Sequence, residues 1–492
     1  MITDAQYAAW LRDARARRCL LLEMQTVSRG QRATRCLSNT VYVSRPTDNP
    51  PNVSYEDRVR GALAFSSTID GSSGTGTIEI ANYGDLDAWL DDSWLGWPLT
   101  VLFGDPSWSR ADFRQIAAGI SNGMTAPDRG KLSLALYDVR QLFQVPALKT
   151  SADGQLIPLA LGTVFNAKPI LIDPINLIYQ VHNGPLDAIT DVRDRGVSVV
   201  HTDNLQLGTF QLAAPPAGDV TCDIVESHST AAQMLRYLAG LVDYRQIAPD
   251  LDTFPNVAPL GLYVTSQTNV GDLMTQVANT VGAVWLPDRL GRVRLVRLAD
   301  PASIAPPDGA QTGYGHGGYG AGGYGTGTPA ISLLSLSADD LLQNQISVAS
   351  VESPQRSVQL AYRKNWYPMN GSQLAGGVDA TAAHSYQVAY SLATASNDVA
   401  NVYPLAAQPD VVETLFVEQA DAQAEADRRA ALRAVPRKVY ALTANLAPLS
   451  IALGDVVRFT HPRFGFDAGA PAMVVGLTER PAQNQVDLQL WR

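Results

Sequence analysis

The period of apolar positions changes several times along the chain, and each change predicts a different unit. Tyr7, Trp10, Leu11 and Ala14 fall on one helical face, which predicts a short amphipathic helix over the first eighteen residues. The period then drops to two. RCLLLEMQTVSRGQRATRCLSN reads as a hairpin turning at Arg29 and Gly30, and strand signals continue to about residue 145. Ile78 and Ile80 alternate with Thr77 and Glu79, and Leu132, Leu134 and Leu136 alternate with Ser133 and Ala135, the pattern of half-buried antiparallel strands. Trp89, Trp94 and Trp97 lie between them and are expected to pack together at one end of a barrel.

Short apolar runs punctuated by Asp-Pro, Asn-Gly, Arg-Gly and Leu-Gly then predict a meander of hairpins ending near Pro215 and Pro216. Helical period returns at 229 to 242, behind Ser229 and Thr230 as candidate caps. It returns again at 270 to 281, with Asn269 as N-cap and Val270, Leu273, Met274, Val277 and Val281 as its stripe. The hairpin AVWLPDRLGRVRLVRL completes an α+β unit, with Arg292, Arg294 and Arg297 as a solvated or interface-facing edge. After 331, strand signals resume. VEQADAQAEADRRAALRAV predicts a helix at 417–435, stopped by Pro436, with Ala420, Ala424 and Ala431 on its buried face. Val456, Val474, Val486, Leu488 and Leu490 alternate toward Trp491, so the last residues are expected in a sheet. The resulting division is 1–150, a helix and a first β-barrel; 151–220, a small β domain; 221–300, an α+β domain; 301–330, a Gly/Tyr-rich loop; and 331–492, a second β-barrel domain. The fold class is mainly β with an α+β insertion.

Gly313 to Gly327 repeats Gly-Tyr-Gly-x-Gly three times. Fixing a backbone costs roughly 1–2 kcal/mol per residue, on the order of 15–30 kcal/mol for the stretch. Three buried tyrosines return about 5–9 kcal/mol. The stretch is therefore expected to order only where another surface adds contacts. Tyr314, Tyr319 and Tyr324 are the candidate assembly contacts, with a linker between domains as the other reading.

Composition narrows the classes. Charged residues are 17% of the chain, below the usual share of about 25%, and with 39 Gly and 30 Pro this fits a turn-rich β protein. A net charge of −10 gives no global field to hold nucleic acid, so sequence-specific nucleic-acid binding is not expected. The start lacks the continuous apolar core of a secretion signal, and no run reaches the about 20 apolar residues of a membrane helix. Cys19, Cys36 and Cys222 form no CxxC pair. His182, His201, His228, His316, His384 and His461 show no metal-ligand spacing. GSSGTG at 71–76 lacks the Gly-Lys-Ser/Thr ending of a phosphate loop and reads as a hairpin turn. Asp85, Asp87, Asp91 and Asp92 beside the tryptophans resemble a glycosidase cleft without its spacing, so they read as acidic turns. Asp173, His182 and Asp187 read as turn residues and a hydrogen-bonded histidine. No catalytic residue, metal or cofactor is assigned.

CLSN after the first hairpin, TIEIANYGDLDAWLDDSWLGWPLTVLFGD, LIDPINLIYQVHNGPLDAITDVRDRGV and the closing IALGDVVRFTHPRFGF and MVVGLTERPAQNQVDLQLW resemble tail-tip (minor tail) proteins of long-tailed bacteriophages. These are similar to the baseplate hubs of contractile tails and gene transfer agents. The resemblance implies a virion structural protein, not an enzyme, in which each of three copies presents two related barrels. Six barrels in a homotrimer would then join a six-fold tail tube to a three-fold tip and close the lumen. The implied partners are distal tail and tail-tube proteins, central fibre or spike proteins and the tape-measure protein, at a tail tip assembled in the host cytoplasm. Some members carry a cysteine-ligated cluster in a joined domain; three dispersed cysteines do not match it, and no cofactor is carried over. A receptor-binding tail adhesin using the Trp89 to Trp97 region is the alternative, and a cell-wall hydrolase a more remote one.

Overall fold

The computed structural model describes residues 2–61, 63–71, 73–151, 153–304, 334–404 and 411–492. The Gly-Tyr stretch with Tyr314, Tyr319 and Tyr324 lies outside the described residues, as does His316. The protein is mainly β and multidomain, with several sheets and a few helices.

Leu20, Leu22 and Met24 in strand Cys19–Ser28 share one apolar face, which packs into the largest core. Its partner Gln31–Ser38 returns through Arg29 and Gly30, both at positive φ, with Ser28 opposite Gln31. Arg29 and Gly30 thus make the two-residue turn that the sequence places there. Nine strands follow in the order Tyr42–Val43, Ser54–Asp57, Gln31–Ser38, Cys19–Ser28, Pro98–Gly104, Arg114–Asp128, Lys131–Tyr137, Ile78–Ala81, Val59–Arg60.

Among the described residues neither large sheet closes as an unbroken ring of paired strands, so the two expected β-barrels are two nearly closed sheets. Both come close by the same device. In the first sheet Ser54–Asp57 and Val59–Arg60 lie near opposite ends of the order yet are consecutive in the chain. Between them, Arg58 N–H donates to Ser38 O (2.9 Å) and Arg58 O accepts from Ala81 N–H (2.8 Å). The second sheet has the order Leu334–Leu336, Val456–His461, Phe466–Arg480, Gln485–Trp491, Arg437–Ala444, Leu341–Glu352. Its end strands Leu334–Leu336 and Leu341–Glu352 are likewise consecutive, separated by the turn Ala338–Asp340. In each sheet one stretch of chain bends between the two ends, and the ladder is interrupted at the bend instead of sealed.

The two sheets interlock. Strand Phe65–Thr68, from the first half, pairs antiparallel with Phe466–Arg480 and carries Ser73–Thr75 on its other edge. GSSGTG therefore contributes the returning strand of a hairpin, whose turn is closed by Gly71 N–H to Thr68 O (3.0 Å). Ile80, Phe103 and Leu134 share a core with Phe459, Val474 and Leu488. Helix Asp4–Arg12 seals it with buried Tyr7 and Leu11 and a Thr3–Gln6 capping box. The helix stops at Arg12, short of the expected eighteen residues. Asp13 is extended, and the Arg18 guanidinium takes the freed carbonyls of Leu11 and Asp13 (3.0 Å each). Ala14 is consequently exposed outside it.

The middle of the chain builds two smaller sheets. Val197–Ser198, Ala188–Asp194, Val220–Val225, Leu159–Ala167 and Gly261–Val264 form one; Ile170–Asp173, Ile178–Gln180, Thr209–Leu212 and His201–Asn204 form the other. Helix Ala231–Gly240 buries Met234, Leu235 and Leu238, and helix Val270–Thr280 buries the expected stripe. Thr230 caps the first through a box with Gln233. Asn269 occupies the N-cap position of the second, but its side-chain amide donates to Gln144 (3.3 Å) instead. Helix Gln419–Leu432 and strands Ser357–Tyr362 and Ser391–Ser396 pack into the same core as these helices.

The buried face of Gln419–Leu432 corrects the sequence expectation. Ala420, Ala424 and Ala431 are exposed; Ala422, Glu425, Ala426 and Ala430 are buried. Alanines repeat on both faces, so period alone does not choose between them. The choice falls on the face with the carboxylate because Arg297, Arg428 and Arg429 are there to receive it.

Candidate functional site

The hairpin joining Ala283–Pro287 to Val293–Arg297 projects its turn between the two large sheets. Asp288 shapes the turn: its Oδ1 accepts from the N–H groups of Leu290 (2.9 Å) and Arg292 (2.8 Å), and its carbonyl from Gly291 N–H (2.8 Å). That presents Arg289 to both sides. The Arg289 carbonyl accepts from Ala118 N–H in the first sheet (2.8 Å). Its Nη1 donates to Leu449 O (2.6 Å) and to the carboxylate of Glu479 in strand Phe466–Arg480. One residue, through its carbonyl and its side chain, thus ties three parts of the chain.

A cavity of about 270 Å³ opens at this junction, walled by Phe65, Gly119, Leu286, Arg292, Ile451 and Leu477. Glu479 is 2% exposed there. Burial pushes its carboxyl up to about 7, against the pull of Arg289. Burial likewise raises the Tyr7 phenol, which feels both charges. The other carboxylates on the wall, Asp138 and Asp288, are hydrogen-bonded to backbone N–H groups, Asp138 to that of Arg140 (2.9 Å). The arrangement holds a proton and a clasp. It sets out no nucleophile beside a base.

The residues singled out in the sequence are mostly engaged structurally. Trp94 is buried, donates its indole N–H to Trp89 O (2.7 Å) and lies 5.9 Å from the Trp89 ring. Arg35 covers Trp89 and pairs with Asp92 (2.7 Å), while Arg32 covers Trp97. Asp85 pairs with Arg58 (2.6 Å), Asp87 accepts from Asn82 (2.6 Å), and Asp91 is exposed. The acidic turns therefore support the tryptophan cluster and form no carboxylate pair across a cleft. Asn176, through its backbone N–H (3.0 Å) and side-chain amide (2.7 Å), holds the Asp173 carboxyl below the usual range. His182 accepts at Nδ1 from Ala160 N–H (3.0 Å); burial pushes it down to about 4, so it is a neutral core histidine. Asp187 is exposed. Arg292 pairs with Asp288 (2.7 Å), Arg294 with Asp250 (2.7 Å) and Arg297 with Glu425, so the expected basic edge is charge-paired.

Cys19, Cys36 and Cys222 are free thiols, raised by burial, Cys19 to about 12 and Cys36 to about 11. Among the described residues no group of three His, Cys, Asp or Glu could hold a metal, and no helix is long and apolar enough to cross a membrane. Several apolar side chains face outward: Ile175 is 91% exposed, and Tyr83 and Val200 are each 78% exposed.

Sequence reasoning missed Glu479 and Glu425. Glu425 has a local signal, arginines three and four residues on. Glu479 has none, since its partner is 190 residues away.

No family model matches the chain, and no curated protein does. Among solved structures it is similar to the tail protein from Neisseria meningitidis MC58, at 11% identity over 96% of each chain with a TM-score of 0.41. It is similar to the prophage MuSo2 43 kDa tail protein from Shewanella oneidensis, at 9% identity over 96% of this chain and 95% of that one, TM-score 0.38. A chain of the virion of a native gene transfer agent particle is 11% identical over 72% of this chain and 91% of that one, TM-score 0.42. These three solved structures are two tail proteins and a chain of a gene transfer agent particle.

Proposed function

We propose that the protein is a structural component of a bacteriophage tail: a homotrimeric baseplate hub that joins a six-fold tail tube to a three-fold fibre or spike and closes the tail lumen. The reading is supported by the pair of nearly closed, mostly antiparallel sheets, each bent back on itself through one stretch of chain, interlocked by Phe65–Thr68 and sharing a single core. Three such subunits offer six sheet units, the number a six-fold tube needs from a three-fold tip. The sequence resemblance points the same way. A shared core makes the two units of a subunit move as one body, which suits symmetry matching. Its partners in this reading are tube and distal tail proteins above, fibre or spike proteins below, and the tape-measure protein inside. Tyr314, Tyr319 and Tyr324 serve as assembly contacts. Its work is binding, not catalysis, at a tail tip assembled in the host cytoplasm.

The test is particle imaging with a label on this chain, together with the mass of the purified protein. Label at the tail tip and a trimer mass are expected. Label along the tube or on the capsid, or infectious particles that assemble without the protein, would overturn the reading. Host-cell binding by the isolated chain would favour an adhesin, and clearing on a peptidoglycan gel a hydrolase.

A further inference from the structure

The chain carries ten excess negative charges, yet one groove on it is strongly positive. The groove, about 540 Å³, is walled by Arg428, Arg429, Arg433 and Arg437 against one lining carboxylate, Glu352. Glu425 lies beneath it, 2% exposed, and receives Arg428 (2.8 Å), Arg429 (2.7 Å) and Arg297. Arg437 reaches Asp300 (3.3 Å) and stacks 4.7 Å over the Trp491 ring. Glu352 accepts from the Trp491 indole (3.3 Å). Arg433 donates to the neutral Gln355 amide oxygen (2.6 Å) and has no carboxylate partner among the described residues. Five guanidiniums therefore face three carboxylates, a surplus of two positive charges.

That surplus is partly withdrawn from water. Burial lowers the pKa of Arg297 and of Arg429, and the charge of Arg428 beside them pushes the same way. Crowded, partly desolvated cations are costly without a counter-charge. The wall is also preset: helix Gln419–Leu432 carries Arg428 and Arg429 in its last turns, and Arg437 rests over the Trp491 ring. Residue 282 is glycine at φ +65°, and a Cβ there would collide with the Arg428 and Glu425 side chains, so the floor depends on its absence. A guanidinium fork matches phosphate or carboxylate in two parallel hydrogen bonds.

We propose that this groove is an oxyanion site for a ligand carrying two or more phosphate or carboxylate groups, with Arg433 on the rim and Arg428, Arg429 and Arg437 deeper in. The site is independent of the hub reading and stands or falls on binding alone. Phosphate and carboxylate sources share this chemistry, and the probes separate them.

The experiment is titration calorimetry of the full chain with inorganic pyrophosphate and with tetraglutamate, each at constant ionic strength. Saturable binding of at least one probe is expected, and the tighter one identifies the source. Arg433→Ala, at an exposed position, should weaken it at least about tenfold, the loss of one charge-assisted contact. Arg236→Ala, which removes an exposed positive charge from helix Ala231–Gly240, should leave it unchanged. If R433A folds poorly, Arg433→Gln keeps the stem and removes the charge. No saturable heat with either probe, or equal affinity in the Arg433 variants and the parent, would overturn the proposal.

Discussion

Replacing Glu479 by glutamine should stabilise the protein at alkaline pH, although it removes one half of a buried ion pair. The carboxyl sits at about 7 in the folded chain because burial outweighs the attraction of Arg289. Its ordinary value, that of the unfolded chain, is 4.5. A raised folded pKa contributes stability that is complete below about 4.5 and is lost as pH rises through about 7. At about 1.4 kcal/mol for each pH unit, most of that interval lies between pH 5 and pH 8 and amounts to roughly 2 to 3 kcal/mol. The glutamine keeps the shape and a carbonyl acceptor for Arg289 but never ionises. E479Q should therefore match the parent near pH 5 and exceed it by about 2 to 3 kcal/mol at pH 8. Urea unfolding of both proteins at the two pH values measures this directly. A variant less stable than the parent at pH 8, or a difference equal at both pH values, would refute burial as the dominant influence and make the Arg289 pair net stabilising.

Glu425→Gln should act in the opposite sense, costing about 3–5 kcal/mol by leaving three arginines around a neutral side chain; urea midpoints at pH 7 would show it. Ala422→Leu or Ala426→Leu should cost about 1–3 kcal/mol by overpacking, while Ala424→Leu on the exposed face should lie within about 0.5 kcal/mol of the parent, and equal losses would mean the helix face is misplaced. Thr230→Ala should lower stability by about 1 kcal/mol through loss of the box with Gln233, measured by thermal unfolding. Cys19 and Cys222, both buried with raised thiol pKa, should resist a thiol reagent in the folded chain and react in urea; labelling of either in native buffer would contradict their burial.

The local elements of this protein are written in its sequence, and their partners are not. The turn at Arg29 and Gly30, the stripe Val270, Leu273, Met274, Val277 and the terminal strand with Val486, Leu488 and Leu490 all follow from short-range period, because each residue's face is set by its own backbone. The tertiary structure alone decided that Phe65–Thr68 joins a strand some four hundred residues away, since a short strand pairs equally well with any free edge of matching pleat. It also chose between two equivalent alanine faces in Gln419–Leu432, through arginines from its own last turns and from Arg297. Near-closure of the two sheets was equally unreadable, because it depends on accumulated strand twist and on where Arg58 and Ala338–Asp340 bend the chain. Burial of Glu479 beside Arg289 came last, set by three segments converging, and that convergence makes an ordinary glutamate an unusually weak acid.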